Sequence, residues 1–561
     1  MVFMLLTTVI ESHLWIFYLL FFNGFLLSQI LSCYIDEYRK ITEKFEAKIL
    51  AGFFISVVLN GLLLWLFFHL NISISFFSIF FPICSIFLFL GTMLGIWQKR
   101  PFNLSLSLWA NLRFGVYAFV FFILCYNGGL IEQIADSWYH LSLANKIGEF
   151  RSLSISNHLN GVAEYSYPTL WHGNLALLNR FSEHSLPLLW NSVTPWIGSF
   201  KVMAFYLFAF GLSKSERIAF LSIVLFVLLP GMGDSYLRVS AWPSHVSYTA
   251  WFALFYVTFL FFDKLQSSVS CWGNGLNSAF AIGSNIKQHS VYLSILLFLI
   301  IFIFFAHRAE IVWYACGLFF YAVMIFCFSI FKNNTMRLEE PAWPLLRLYM
   351  SFVFLLIVVI SILKLMPILH LQNANPEIFL LVALMLLISS AFLCIELLNL
   401  RRLSDSSGIV IKSLLLLLFL LVLLTVDLKQ LFSLFQPHLG YPIPRSNDAA
   451  VLTTGWLDGV LKLPSWHMQL RSGLLYSSVL AIILSFALVI IRPNRLTLFL
   501  SGNAVIPFLI LLSPYLYQWL TDALNYHSAW RVSLLIFHPI ILACSIFYFW
   551  DLAAGKKTVI C

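Results

Sequence analysis

Long apolar runs, each separated from the next by a polar connection, are the feature that most constrains this chain. A run of about 20 apolar residues matches the hydrocarbon core of a bilayer, and a helix satisfies its backbone hydrogen bonds within one such run. We predict roughly fifteen spans, near residues 14–34, 49–69, 73–97, 105–127, 186–212, 218–232, 246–262, 289–306, 311–330, 347–366, 378–398, 411–427, 472–491, 496–517 and 532–550. The sequence therefore predicts an all-α, polytopic transmembrane helix bundle with about 13–15 spans.

The composition excludes a soluble globular protein. Hydrophobic residues make up 61% of the 561 residues and charged residues only 10%, whereas soluble chains carry about 25% charged residues. The net charge of +9 does not indicate nucleic-acid binding, because the basic residues fall in short connections instead of forming one basic face.

Basic residues occupy every second connection between the predicted spans. They lie at residues 39–48, 99–100, 214–217, 264–287, 332–347, 401–412, 492–495 and 556–557. Since short cytoplasmic loops are enriched in Lys and Arg, we predict that the N-terminus is outside and the C-terminus cytoplasmic. We expect a multi-pass protein of a bacterial inner membrane rather than of the endoplasmic reticulum, because no retrieval signal is present.

The opposite side carries the long connections and most histidines. These are His140, His158, His172, His184, His245, His307, His370, His438, His467 and His527. Long loops with such side chains are where functional sites concentrate, so we expect the active site to face the periplasm or exterior. The predicted organisation is N-terminal transmembrane helices over 1–127, a first large outer loop with the catalytic motif over 128–185, central helices over 186–427, a second large outer loop over 428–471 and C-terminal helices over 472–561.

The first large outer loop contains the sequence Asp136-Ser-Trp-Tyr-His140. Its apolar spacing predicts an amphipathic helix over Ser137–Phe150. In a helix, Tyr139 and His140 share a face with Asp136, and a carboxylate beside a phenol and an imidazole suits proton abstraction from a sugar hydroxyl. The alternative is that Asp136 only caps the helix.

A second segment of this loop combines Glu164, Tyr167 and His172. The proline after Tyr167 favours an extended backbone there, and the following apolar residues predict another amphipathic helix through Leu170 and Leu178. Glu164, Tyr167 and His172 are candidates for lining a substrate groove. The alternative is an interfacial helix with an aromatic belt.

Further substrate-binding candidates lie in the later outer connections. They are Asp234, Arg238, His307, Arg308, Glu310, His527 and Arg531, with Tyr139 added from the first loop. An arginine fork suits phosphate oxygens, so Arg531, Arg238 and Arg308 are candidate phosphate contacts. The alternatives are a turn residue for Asp234 and an interfacial anchor for Arg531.

Together, these features resemble the GT-C superfamily of integral-membrane glycosyltransferases. The resemblance rests on Asp136-Ser-Trp-Tyr-His140, the interfacial helices after it, Tyr167-Pro168, the many spans and the late Arg531, and it is strongest over residues 128–172. It implies a GT-C-like bundle and an inverting enzyme whose donor is a polyprenyl-phosphate-linked sugar. Asp136 would be the catalytic base and an arginine would hold the lipid phosphate.

The expected function is therefore transfer of a sugar to a hydroxyl of a glycan or lipid acceptor, in the synthesis of cell-envelope polysaccharide. Asp136 and His140 are the candidate catalytic residues, and the expected partners are the donor, the acceptor and membrane lipid, with no nucleic acid. The first outer loop has no Asp-x-Asp or Glu-x-Asp pair. We therefore assign no metal ligands and leave a divalent metal open as a cofactor.

Two alternatives stay open. The loop over 428–471 contains Trp456, Asp458, Trp466 and His467, which suit a polysaccharide polymerase or ligase that uses a lipid-diphosphate glycan. A transporter or flippase is the other alternative. It is disfavoured because transporters carry ionisable groups near the bilayer midplane, whereas charged residues within the predicted spans are nearly absent here, with Arg113 and Lys201 as the main exceptions.

Overall fold

The computed structural model describes residues 2–99, 108–127, 135–150, 168–228, 241–272, 279–331, 474–512 and 530–553. In these ranges every regular element is helical. Eight helical stretches are long and apolar enough to cross a membrane: Thr7–Tyr34, Phe45–His69, Phe76–Gly95, Leu108–Cys125, Leu186–Ser213, Pro243–Lys264, Gln288–His307 and Arg531–Leu552. The prediction of an all-α protein with many spans is confirmed for this part of the chain.

The described residues form sixteen α-helices. The first six are α1 Val2–Phe17, α2 Asn23–Tyr34, α3 Asp36–Ile41, α4 Phe45–His69, α5 Ile74–Lys99 and α6 Leu108–Asn127. The others are α7 Ala135–Phe150, α8 Leu170–Ser182, α9 Leu186–Ser213, α10 Glu216–Leu228, α11 Pro243–Trp272, α12 Ala279–His307, α13 Ala309–Phe331, α14 Leu474–Ile491, α15 Arg495–Leu512 and α16 His538–Ala553. A π-helical segment, Tyr18–Phe22, joins α1 to α2, and a 3₁₀ helix, Trp530–Leu535, precedes α16.

The predicted spans near 347–366, 378–398 and 411–427, and the loop over 428–471, lie outside the described residues. The division of the chain into five segments stays a prediction. Each predicted span that lies within the described residues coincides with a helix, although the bounds differ: α4 begins at Phe45 rather than 49, and α12 begins at Ala279 rather than 289. The span predicted over 186–212 is α9, which has a proline in its first turn and ends before Lys214, whose φ is 56°.

Burial separates central from peripheral helices. In the apolar windows of α11 and α9, 94% and 89% of the residues are buried inside the protein, against 22% for α5 and α6. Of the described helices, α5 and α6 are among those that expose large apolar side chains, such as Phe87 and Phe122, as helices that face lipid do. The core of the bundle is built around α9 and α11.

The two helices predicted in the first outer loop are present as α7 and α8, and they pack against each other and against α9. The first begins at Ala135, two residues earlier than predicted. The second lies close to α4, since a Cβ on Gly61 would stand 2.3 Å from Cδ1 of Leu170. Trp171 fixes α8 to the segment before α11 by donating from Nε1 to the carbonyl of Ala241 at 2.6 Å.

Buried amides attach α8 to the transmembrane helices. Asn60 of α4 donates from Nδ2 to the carbonyl of Leu19 in the π-helical segment at 2.9 Å and to Oδ1 of Asn174 at 3.0 Å. Asn174 of α8 donates in turn to the carbonyl of Val57 at 3.0 Å. Both asparagines are 1% exposed, so these bonds are shielded from water and hold α8 in one position.

One end of the bundle gathers basic residues with carboxylates; we call it the cationic end. Its ion pairs are Lys44–Glu216, Arg113–Glu46, Arg113–Glu216, Lys214–Asp263, Lys264–Glu37 and Arg495–Asp263. The connections that carry Lys44, Lys214, Lys264 and Arg495 are those the charge pattern assigns to one side of the membrane. Their side stays a prediction, but their grouping at one end agrees with it.

Candidate functional site

Five ionisable side chains from distant parts of the chain lie together at the end of the bundle opposite the cationic end. We call them the histidine cluster: His140 on α7, His172 on α8, His307 at the end of α12, Glu310 in the first turn of α13 and Arg531 in the 3₁₀ helix before α16. Direct contacts join them in two groups. The groups adjoin, because His307 acts electrostatically on both His140 and His172.

The first group is a pair of imidazoles, with 2.9 Å between Nδ1 of His140 and Nε2 of His172. Nδ1 of His172 lies 3.2 Å from the carbonyl oxygen of Pro168, and a carbonyl oxygen only accepts hydrogen bonds. In a neutral His172 the proton is therefore on Nδ1 and Nε2 accepts, so His140 donates from its own Nδ1. The lone pair of a neutral His140 is then on Nε2, which makes that nitrogen a hydrogen-bond acceptor.

Burial lowers the pKa of both imidazoles. The pKa of His140 lies well below the usual 6.5 because burial desolvates the ring. Positive charge on His172 and His307 lowers this pKa further, since it repels a charged His140. Desolvation lowers the pKa of His172 to about 3, against the opposing effect of its hydrogen bond to Pro168. Both rings are therefore neutral near pH 7, as the pattern of donors and acceptors requires.

In the second group, the carboxylate of Glu310 contacts an imidazole and a guanidinium. Nδ1 of His307 donates to Oε2 of Glu310 at 2.6 Å, and Nη1 of Arg531 lies 3.7 Å from Oε1 of the same carboxylate. The Glu310 side chain is fully buried, whereas the Arg531 side chain is 17% exposed. A guanidinium has five N–H donors. Arg531 can therefore be oriented by Glu310 and still offer N–H groups to an anion at its exposed side.

Aromatic side chains form the walls around the cluster. Trp190 of α9 stacks on His140 with 6.2 Å between ring centroids and 14° between ring planes. Tyr139 packs edge-on against His140 at 5.4 Å. Tyr248 of α11 is buried and lies within electrostatic range of Glu310 and Arg531. The cluster is thus bordered by the indole ring of Trp190 and by the phenols of Tyr139 and Tyr248.

Asp136 is the second residue of α7, one turn before His140. This places it in the first turn of the helix rather than before it, where carboxylates are favoured by the helix dipole. The residue after it is fixed: Oγ of Ser137 accepts a hydrogen bond from Nε1 of Trp242 at 2.9 Å. The backbone of this turn is therefore anchored to the start of α11.

A buried pair that the sequence does not connect lies beside the cluster. Nζ of Lys201 in α9 donates to Nδ1 of His245 in α11 over 2.7 Å, and the two side chains belong to residues that are 1% and 3% exposed. The ring of His245 lies 5.7 Å from that of Tyr248. A lone lysine within a long apolar run is a signal for function, but the sequence does not name its partner.

Several predicted site residues do not enter this geometry. Arg308 is exposed on the turn between α12 and α13. Glu164, Tyr167, Asp234, Arg238 and His527 lie outside the described residues. Within the described ranges, no three His, Cys, Asp or Glu side chains are grouped as a metal site requires. The roles predicted for the site residues stay predictions.

Comparisons with known proteins find a distant structural similarity and no match to a family model or a curated protein. No family model matches the chain, and no curated protein matches it. Among solved structures it is similar to the archaeal oligosaccharyltransferase AglB from Archaeoglobus fulgidus, determined in complex with an inhibitory peptide and a dolichol-phosphate. The sequence identity is 13% and the TM-score 0.46, over 81% of this chain and 53% of the archaeal chain. The match thus spans about half of that protein, and at this TM-score no argument about function rests on it.

Proposed function

We propose that this chain is a membrane glycosyltransferase that moves a sugar from a polyprenyl-phosphate-linked donor to an acceptor hydroxyl on the outer face of the membrane. The observation that carries the proposal is the histidine cluster, in which neutral imidazoles, a buried carboxylate and a partly exposed arginine meet. Polar and ionisable groups are costly within a bilayer protein unless they serve a site. The resemblance of the Asp136–His140 segment to GT-C enzymes supports this reading of the cluster.

Arg531 holds the donor phosphate in this proposal. The leaving group is a phosphate, which departs with the electron pair of the bond between the anomeric carbon and oxygen. A guanidinium preorganised at that position stabilises the developing charge, and a donor of this kind is typically worth about 10²–10³-fold in rate. Glu310 positions Arg531, because its buried carboxylate is within ion-pair distance of the guanidinium.

Asp136 accepts the proton of the acceptor hydroxyl as that oxygen forms its bond to the anomeric carbon. The new bond forms on the face opposite the departing phosphate, so the configuration inverts. His140 orients the acceptor by accepting a hydrogen bond at its neutral Nε2 from a second hydroxyl of the acceptor, and its ring is held by His172 and Trp190. Because Nε2 of the neutral His140 carries no proton, it cannot donate a hydrogen bond to the attacking oxygen.

The test replaces Asp136 with asparagine. Purified protein is reconstituted in liposomes with undecaprenyl-phosphate hexoses and pentoses and with membrane glycolipid acceptors, and release of undecaprenyl phosphate is measured. Loss of a general base typically lowers the rate about 10²–10⁴-fold, so we expect a drop of that size in Asp136→Asn. The matched control is Asp36→Asn, an exposed carboxylate of the cationic end, which should keep the wild-type rate.

Two results would count against the proposal. The first is absence of phosphate release by the wild-type protein with every donor in this panel. The second is equal turnover by Asp136→Asn and wild type at equal amounts of folded protein. In the latter case glycosyl transfer would stand, and the assignment of the base to Asp136 would be wrong.

A further inference from the structure

A buried lysine lies near the middle of α9. Lys201 is 1% exposed, and no carboxylate of the described residues forms an ion pair with it. Its contact is the imidazole of His245, with 2.7 Å between Nζ and Nδ1. Two nitrogens at this distance hold one hydrogen between them, because two facing N–H groups would repel each other. The two side chains therefore form one hydrogen-bonded unit that joins α9 to the first turn of α11.

Packing does not explain a lysine at this position. Its neighbours along α9, Phe200 and Val202, are buried and apolar, and a methionine would fill a comparable volume without desolvating an amine. Replacing a buried charged group by an apolar side chain of similar volume is often neutral or stabilising. Ionisable residues within membrane spans are costly and mark functional positions. The hydrogen bond that Lys201 makes is therefore the property that requires an explanation.

The chain around the start of α11 is bonded to both helices that carry the imidazole pair. The carbonyl of Ala241 accepts the hydrogen bond from Trp171 of α8 at 2.6 Å. The next residue, Trp242, donates from Nε1 to Oγ of Ser137 on α7 at 2.9 Å. The lysine thus holds a turn to which α7 and α8 are both attached.

The ring of His245 packs against the aromatic side chains on either side of it in this turn. Its centroid lies 5.6 Å from the ring of Trp242 and 5.7 Å from that of Tyr248, which it meets edge-on at 81°. Tyr248 is buried within electrostatic range of Glu310 and Arg531. A shift of the imidazole is therefore transmitted to α7 through Trp242 and to the guanidinium through Tyr248.

We propose that Lys201 is a positioning residue of the transfer site, acting through His245 on Trp242 and Tyr248. The inference rests on the proposed function, because it assigns to the lysine the alignment of α7, which carries the general base, with the arginine that holds the donor phosphate. Lys201 itself touches neither substrate. Small displacements of groups that meet in the transition state cost up to about 10²-fold in rate, so the effect is on kcat and not on donor binding.

The first test is Lys201→Met, which keeps an unbranched side chain but removes the hydrogen bond. In the liposome assay of undecaprenyl phosphate release, we expect kcat per folded molecule to fall about 10–100-fold and the KM for the donor to stay within about threefold of wild type. Lys44→Met is the matched control, because Lys44 also donates to a side chain of another helix, over 2.7 Å to Glu216 at the cationic end. It should keep the wild-type kcat.

His245→Asn is a second variant, which serves also if Lys201→Met does not fold. It keeps the lysine paired, because Oδ1 of asparagine stands near the position of Nδ1 of histidine and accepts a hydrogen bond. It removes the ring that contacts Trp242 and Tyr248, so kcat should fall on the same scale. Since both changes interrupt one route, the double variant Lys201→Met/His245→Asn should be no slower than the slower single variant.

The inference is overturned if Lys201→Met or His245→Asn turns over like wild type, if their losses multiply in the double variant, or if Lys44→Met loses as much kcat. It is also overturned if Lys201→Met raises the donor KM about tenfold or more at unchanged kcat, because the lysine would then bind the donor directly. In each of these cases the wild type is active and the proposed glycosyl transfer stands. A wild type that releases no phosphate with any donor overturns the proposed function, and this inference with it.

Discussion

At the cationic end, basic side chains lie against carboxylates: Arg113 against Glu46, with 2.8 Å between nitrogen and oxygen, and Arg495 against Asp263. At the histidine cluster, two neutral imidazoles bind each other and a single carboxylate serves both His307 and Arg531. The first arrangement neutralises charge and joins helices. The second holds a partly exposed guanidinium next to one buried carboxylate, and a guanidinium oriented in this way suits an anionic ligand.

The largest expected effect is on stability, at the cationic end. Glu46→Ala leaves the Arg113 side chain, which is 6% exposed, with Glu216 at 3.8 Å as its nearest carboxylate among the described residues. Removing one partner of a buried ion pair typically costs about 3–5 kcal/mol, so the free energy of unfolding should fall by that amount. Denaturant unfolding followed by tryptophan fluorescence measures it.

The double variant Glu46→Ala/Arg113→Met should recover most of this loss, because no uncompensated charge then remains. Turnover per folded molecule should be unchanged in both variants. If Glu46→Ala unfolds at the wild-type midpoint, the cationic end does not have the structural role assigned to it.

The next effect is on activity, at the histidine cluster. Arg531→Ala should lower turnover about 10²–10³-fold, as removal of a preorganised donor to a developing anion does. Arg531→Lys keeps the charge but loses the planar fork, and should lie between. Undecaprenyl phosphate release, normalised to folded protein, measures both. Arg495→Ala at the cationic end is the matched control, and a comparable loss of turnover there would remove the distinction between the two ends.

The smallest effect concerns pH. Unfolded His140 and His172 protonate near pH 6.5, whereas in the folded protein the pKa of His172 is about 3 and that of His140 well below its usual value. Below pH 6.5 the unfolded state therefore binds more protons, and the free energy of unfolding falls as pH falls. The slope is at most about 1.4 kcal/mol per pH unit for each ring.

Unfolding measured between pH 7.5 and 5 in wild type and in the double variant His140→Gln/His172→Gln gives this contribution as a difference, since other buried histidines such as His538 are present in both proteins. Glu216, whose pKa is lowered by the hydrogen bond from Lys44, begins to matter only below its usual value of 4.5. The double variant should therefore show a shallower pH dependence of the free energy of unfolding than wild type over this window. An unchanged slope in that variant would show that the imidazole pair is not neutral in the folded protein.

The sequence predicts the transmembrane helices well because a span is a local property. The run over 186–212 became α9, ending at Ser213, since length and hydropathy alone determine that such a segment is helical in a bilayer. The helix at Ser137–Phe150 follows in the same way from its apolar spacing. These predictions need no knowledge of neighbours.

For the candidate site, the sequence predicts which residues lie on the same side of the membrane, but it does not predict which of them are in contact. The charge pattern places His140, His307 and Arg531 on one side, but not within reach of one another. Which side chains pair depends on how helices cross, as the bond between Lys201 and His245 shows. The hydrophobic periodicity of α9 or of α11 does not predict which side chains of the two helices pair. Such pairs become known only from the three-dimensional structure.

The amide bonds around Asn60 have a consequence for how a substrate reaches the cluster. They tie the helix that carries His172 to the π-helical segment and to α4, so displacing this helix breaks several shielded bonds at once. Its partner α7 is held by fewer described side-chain bonds, through Ser137 and His140. Of these two helices, α8 is therefore the more firmly attached, and a displacement of α7 breaks fewer of the described side-chain bonds.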